Sequence, residues 1–293
     1  MNSKPLRLVA ALSILAASPA WADDPFVFSN GNVDGRMAVA SRPDGPASTE
    51  IEAADDFVTS GLTTITGASF TGLLTASAAL PSVSEIVVEI YRVFPFDSNT
   101  VRTPNVPTRT NSPSDVAFDS RDSAVAGDFS FSTTTLAATF TANNSVAAGG
   151  IHASPNQTTG GNGAVSGQEV RFDLTFANAL VLPASHYFFI PQVRLSSGQF
   201  YWLSSTRPIV APGTPFAPDL QAWVRDAALD PDWLRVGTDI VGGATPPTFN
   251  EAFSLVGTVA APVPEPETSA LMMLGLVALG LVTRRRRAPR ADR

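Results

Sequence analysis

The sequence predicts an all-β body, a β-sandwich with jelly-roll-like topology preferred over an immunoglobulin-like one. Three observations carry this. Apolar residues alternate with polar ones more often than they recur at the helical period. Segments of strand length are punctuated by Gly, Pro, Asn and Ser, with 21 Gly and 24 Pro in 293 residues. Large core side chains come mainly from 18 Phe.

Taken in order, strands are expected at 36–41, 51–59 and 63–74. The stretch 84–95 is rich in β-branched and aromatic residues and stops at Pro95. Residues from Gly127 to Phe140 alternate through Phe129 and Phe131. In 169–176, Val170, Phe172, Leu174 and Phe176 share one face while Glu169, Arg171, Asp173 and Thr175 share the other, the pattern of a half-buried strand. His186–Val193 and Gln199–Leu203 form two further strands, with Ser196-Ser197-Gly198 as their turn. Strands at 220–225 and 249–259 complete a set of about ten to twelve, and the last is expected to pair near 51–58. The polar stretches 97–115 and 143–168 read as long loops. One sandwich with insertions is simpler than two domains joined through 143–165.

Charge is distributed unevenly. The chain carries 26 acidic and 19 basic residues, net -7. Residues 23–263 hold 23 Asp and Glu against 11 Arg, and no Lys. An acidic body without a basic stripe argues against nucleic acid as a partner. With no Cys, disulfides, thiolate metal sites and thiol nucleophiles are excluded.

Both ends look like addresses. Residues 1–22 read as a signal peptide: Lys4 and Arg7, an apolar run from Leu8 to Ala17, then Ala20-Trp21-Ala22 as the cleavage site for signal peptidase. The body spans 23–259. Residues 260–268 form a linker containing Val263-Pro264-Glu265-Pro266, and 269–283 carry no charge. Residues 284–293 open with Arg284-Arg285-Arg286-Arg287. Fifteen helical residues reach about 22 Å, short of the roughly 30 Å hydrocarbon core. Snorkelling arginines and local thinning would let 269–283 serve as a short transmembrane helix, with the arginines cytoplasmic.

This three-part tail resembles the PEP-CTERM sorting signal of Gram-negative exported proteins. The same segment is also labelled the C-terminal domain of ice-binding proteins, which describes the tail and says nothing about what the body binds. The resemblance covers about 25 residues. It implies recognition of Pro264, Glu265 and Pro266 by an exosortase, a membrane protease. On that expectation the chain crosses the inner membrane, is held there transiently by its C-terminal helix, and passes to the outer surface or an exopolysaccharide matrix.

For the body, chemistry is harder to read. No Gly-x-Ser-x-Gly elbow occurs, and His152 and His186 are the only histidines. Asp55, Asp56, Glu85 and Glu89 are candidate carboxylates for glycan cleavage, but Glu85 and Glu89 stand about 13 Å apart on one strand. Asp226, Asp230, Asp232 and Asp239 cluster in a turn-rich stretch. They suit either a structural calcium ion or an exposed acidic loop, with Asp230 or Asp232 capping a turn. Trp202 is expected in the core, whereas Trp223 and Trp233 are candidates for an exposed glycan-stacking platform. No cofactor is otherwise implied. The leading expectation is a non-enzymatic surface or biofilm-matrix component. The alternatives are a carbohydrate-binding module and a glycan hydrolase or lyase.

Overall fold

The computed structural model describes residues 23–46, 48–75, 82–98, 110–152, 158–208, 220–229, 233–261 and 272–280. Asp24–Ala260 forms one compact unit. Fourteen strands among the described residues build two sheets, more than the eight of a plain jelly roll.

The larger sheet holds eight strands: β1 (Asp24–Ser29), β2 (Val33–Ala40), β4 (Thr63–Thr75), β7 (Phe129–Ala142), β8 (Asn144–Val146), β9 (Val165–Leu182), β11 (Gln199–Ser205) and β14 (Phe253–Val259). The smaller contains β3 (Ile51–Thr59), β5 (Val83–Arg92), β6 (Asp119–Asp122), β10 (Ser185–Leu195), β12 (Trp223–Asp226) and β13 (Leu234–Arg235). Its order is β13-β12-β3-β10-β5-β6, antiparallel throughout.

The larger sheet forks. β9 runs along one edge of β4, and β7 lies beyond it. The other edge of β4 is shared: Thr63–Phe70 pairs with β14, and Gly72–Thr75 with β11. Ala252 sits at the division. Its carbonyl accepts from the Thr71 amide at 3.2 Å and the Trp202 indole at 3.0 Å, and its own amide donates to the Leu203 carbonyl at 2.8 Å. β14 therefore pairs with β4 and β1, not with the 51–58 strand the sequence suggested. The pairing still brings the two ends of the body together, Asp24 opposite Val259.

Alternation decides what is buried. Val170, Phe172, Leu174 and Phe176 all face the core, as their spacing predicts. Phe70 stacks on Phe172 at 4.8 Å and meets the edge of Phe200 at 5.9 Å. Phe189 and Phe253 stack at 5.1 Å, and Trp202 packs against Phe253 at 5.6 Å. Each aromatic pair adds about 0.5–1.5 kcal/mol beyond its area burial.

Ser196-Ser197-Gly198 is a turn, with Gly198 at φ 78°, but not a hairpin: β10 lies in one sheet and β11 in the other. The expected loop at 143–168 contains β8 and the first residues of β9, and β6, β8 and β13, of four, three and two residues, are too short for alternation to mark them. A second tie between sheets is Arg121 on β6. Its guanidinium donates to the carbonyls of Asn178 at 2.6 Å and Ala179 at 2.9 Å, where β9 bulges away from β4.

Gly72 leaves room for this packing. A Cβ there would lie 2.2 Å from the Phe200 ring and 2.4 Å from the Tyr201 carbonyl oxygen. Gly72→Ala is expected to cost about 1–3 kcal/mol by overpacking, read as a lower urea midpoint. An unchanged midpoint would show that β4 and β11 yield without strain.

The transmembrane helix expected at 269–283 is not supported. Helix α1 occupies 272–280, about 13 Å at 1.5 Å per residue. No helix among the described residues is long and apolar enough to cross a membrane. The apolar composition of 269–283 suggested a span, but length decides whether a helix reaches across the hydrocarbon layer.

Candidate functional site

The outer face of the six-stranded sheet carries a cluster of charged and polar side chains. On β3, Ile51, Ala53 and Phe57 face the core between the sheets, while Glu52, Ala54 and Asp56 face outward. That outward face is itself covered. Ala54, Tyr91, Val93, Phe188, Ile190, Leu220, Trp223 and Trp233 form a second apolar cluster.

This corrects the expectation of an exposed aromatic platform. Trp223 and Trp233 are each 1 % exposed, and the Trp233 indole donates to the Ser114 carbonyl at 3.0 Å. Leu220 and Trp233, which lie outside the strands, and the Ser114 carbonyl close over that face, so the sheet's second face is a core rather than a solvent face. Trp202 lies in the main core as expected.

Within this layer three carboxylates converge. Glu50 precedes β3, Glu52 lies on it, and Glu89 projects from β5. One carboxylate oxygen of each lies within 4.8 Å of the others. Arg225 stands directly opposite Glu52 across the β12–β3 pair. Its Nε donates to Glu52 Oε2, and its Nη2 donates to Glu52 Oε1 and the Tyr91 hydroxyl, both at 3.0 Å. The Tyr91 hydroxyl in turn donates to Glu89 Oε2 at 3.4 Å. Gln192, on β10 between β3 and β5, donates from Nε2 to Glu50 Oε1 at 2.9 Å and Glu89 Oε2 at 3.3 Å. The guanidinium also stacks over Trp233, 4.6 Å from the ring centroid, and Tyr91, 5.3 Å away.

Burial dominates the electrostatics. It pushes the Glu89 carboxyl up to about 8, reinforced by the charges of Glu52 and Glu50. Glu50 is raised for the same reasons, burial first and then Glu52. Burial also raises the Tyr91 phenol. Three carboxylates against one guanidinium leave an excess of negative charge that a proton or a bound cation would relieve.

The acidic residues singled out in the sequence go elsewhere. Asp226 caps its own turn, accepting from the Ala228 amide at 3.0 Å, and takes a bond from Thr49 at 3.3 Å. Asp239 is buried and held by Arg235, whose backbone amide, Nε and Nη2 all donate to it at 2.7–2.9 Å. The two do not join in a carboxylate group suited to a cation; among the described residues only Glu50, Glu52 and Glu89 do so. Asp230 and Asp232 lie outside the described residues.

Glu85 pairs with Arg194 rather than with Glu89. Asp55 and Asp56 point to opposite faces of β3. Asp55 accepts from Asn30 Nδ2 at 2.6 Å and the Glu251 amide at 2.7 Å. Asp56 meets His186 Nε2 at 2.6 Å and accepts from the Leu220 amide at 2.8 Å. His186 borders an apolar pocket of about 580 Å³ lined by Val58, Val93, Phe94, Pro95 and Phe96.

Glu50, Glu52, Gln192 and Arg225 escaped sequence reasoning. Strand parity places Glu52 and Glu89 on an outer face, but only the strand order brings β3, β5, β10 and β12 together.

Residues 262–287 match the PEP-CTERM protein-sorting motif. The tail is a PEP-CTERM sorting signal. The match takes in Pro264, Glu265, Pro266 and Arg284, Arg285, Arg286 and Arg287, all of which lie outside the described residues, as do residues 1–22, where a signal peptide is expected. No curated protein and no solved structure matches the chain. The motif supports sorting for export. The expected transient anchoring in the inner membrane is not supported, since no described helix is long and apolar enough for it.

Proposed function

We propose that this chain is an exported, non-enzymatic component of the cell surface or extracellular matrix. The observation that carries it is the PEP-CTERM motif at 262–287, following a compact body that ends at Ala260. In this view an exosortase-type protease recognises Pro264-Glu265-Pro266 and releases the β-sandwich as the functional part. Glu265 offers one carboxylate for recognition, between two residues whose rings restrict φ. The acidic, Lys-free body suits an environment of polysaccharide rather than nucleic acid.

The test is intact mass of the protein made in its native host, with fractionation of cells and medium. The natural chain is expected to lack residues 1–22 and everything beyond the Pro-Glu-Pro segment. Glu265→Ala is expected to fold normally and keep its tail. A natural chain that keeps the tail, or a Glu265→Ala chain processed like it, would remove the basis for this assignment.

A further inference from the structure

We propose that the free edge of β7 is a self-association surface, on which a second copy of this chain pairs its own β7 antiparallel across a two-fold axis. A sheet edge offers a row of unpaired backbone N–H and C=O groups to any strand that can reach it. Folded proteins block such edges with charge, proline, bulges or shortness. Among the described residues the two sheets end in five edges: β1, β7 and β8 in the larger, β6 and β13 in the smaller. Four are blocked. β1 carries Asp24 and Pro25. β6 reads Asp-Ser-Arg-Asp. β8 and β13 have only three and two residues.

The first half of β7 has none of these devices. It pairs with β9 alone, and its register is regular from Phe129 to Thr135, shifting only beyond Thr135. Phe129-Ser130-Phe131-Ser132-Thr133-Thr134-Thr135 contains no charge, proline or glycine, and its β-branched and aromatic residues favour extended backbone. Neither face of it is covered. Every residue from Ser130 to Leu136 is exposed, Phe131 by 38 % and Leu136 by 49 %.

Symmetry and charge single out a second copy as the occupant. Antiparallel pairing about Ser132 sets Phe131 opposite Thr133, Ser130 opposite Thr134 and Phe129 opposite Thr135. These pairs are aromatic on β-branched and hydroxyl on hydroxyl, both favourable across strands. In such a dimer a charged residue on the axis would meet its own like. Here there is none, and residues 129–168 hold no Asp, Glu, Lys or Arg. Behind this segment on β9, Arg171 and Asp173 pair with each other at 3.0 Å. The body as a whole is acidic, 23 Asp and Glu against 11 Arg over 23–263, so two copies repel overall. β7 is the long edge on which they meet without like charges opposed. The inference does not rest on how the chain is sorted.

The experiment is sedimentation velocity of the full chain over a range of concentrations, with amide hydrogen exchange alongside. A reversible dimer is expected, with slower exchange of the outward amides of Phe129–Thr135 as concentration rises. Ser132→Lys places two ammonium groups on the axis and is expected to weaken association by at least about tenfold. Its side chain is exposed, so the variant is expected to fold normally. Should it not fold, Ser130→Lys replaces it. Val27→Lys, at an exposed position on the β1 edge, is expected to associate as the natural chain does. A monomer at every concentration up to ~1 mM would overturn the proposal. So would association unaltered by lysine in β7, or weakened equally by Val27→Lys.

Discussion

Arg225→Ala is expected to lose about 3–5 kcal/mol of stability, the largest effect of any single substitution considered. Glu52 is fully buried, and Arg225 makes a two-pronged contact with its carboxylate. Removing the guanidinium leaves that carboxylate uncompensated beside Glu50 and Glu89. It also takes a hydrogen bond from the Tyr91 hydroxyl and a stacked cation from Trp233. Arg225→Lys keeps the charge but not the planar fork, and is expected to recover only part of the loss. Glu52→Gln combined with Arg225→Met is expected to recover more, because it removes both charges rather than stranding one. Urea unfolding of the four proteins in chelator-treated buffer measures this. A loss below about 1 kcal/mol for Arg225→Ala would mean that water, rather than the guanidinium, solvates the cluster.

The second large effect concerns Glu251. It is fully buried, and neither carboxyl oxygen has a partner among the described residues. Burial, and then the charge of Asp34, raises its carboxyl well above the ordinary range. The folded state therefore keeps a proton that the unfolded chain releases near pH 4.3. The associated stability is fully present below that pH and is lost as pH rises towards the folded value. Glu89, raised to about 8, acts in the same direction between roughly pH 4.3 and 8. While one such group stays protonated only in the fold, stability falls by about 1.4 kcal/mol per pH unit.

Glu251→Gln cannot ionise, so its stability is expected to fall less steeply with pH than that of the natural chain. Its advantage should widen on the alkaline side. Urea midpoints at pH 5, 6, 7 and 8 with chelator present give the comparison. Parallel pH profiles for the two proteins would show that Glu251 ionises as freely in the fold as outside it.

The position of Glu251 follows from the fork in the larger sheet. The chain reaches β14 from between the sheets, so the Glu251 amide bonds to Asp55 of the opposite sheet while Ala252 closes the division. Nothing in Phe249-Asn250-Glu251-Ala252-Phe253 marks a buried glutamate. Alternation alone places Phe249, Glu251 and Phe253 on one face and reads the charge as an edge residue.

Local properties of the chain determined a good deal. Period-two patterning is enough to place β3 at Ile51–Thr59 and to choose the buried face of β9, because alternation is set by backbone geometry within one strand. The sorting motif was legible for a related reason: Pro264-Glu265-Pro266, the apolar run and the arginines are contiguous, so they need no fold to come together. Tertiary structure alone decided the rest. Whether Trp223 and Trp233 see solvent turned on a second layer laid over the sheet. Glu50, Glu52, Glu89, Gln192 and Arg225 are up to 175 residues apart in the chain and meet only through the order β12-β3-β10-β5. Strand order is a long-range property: each strand's pattern says which face is buried, and none says which strand lies beside it.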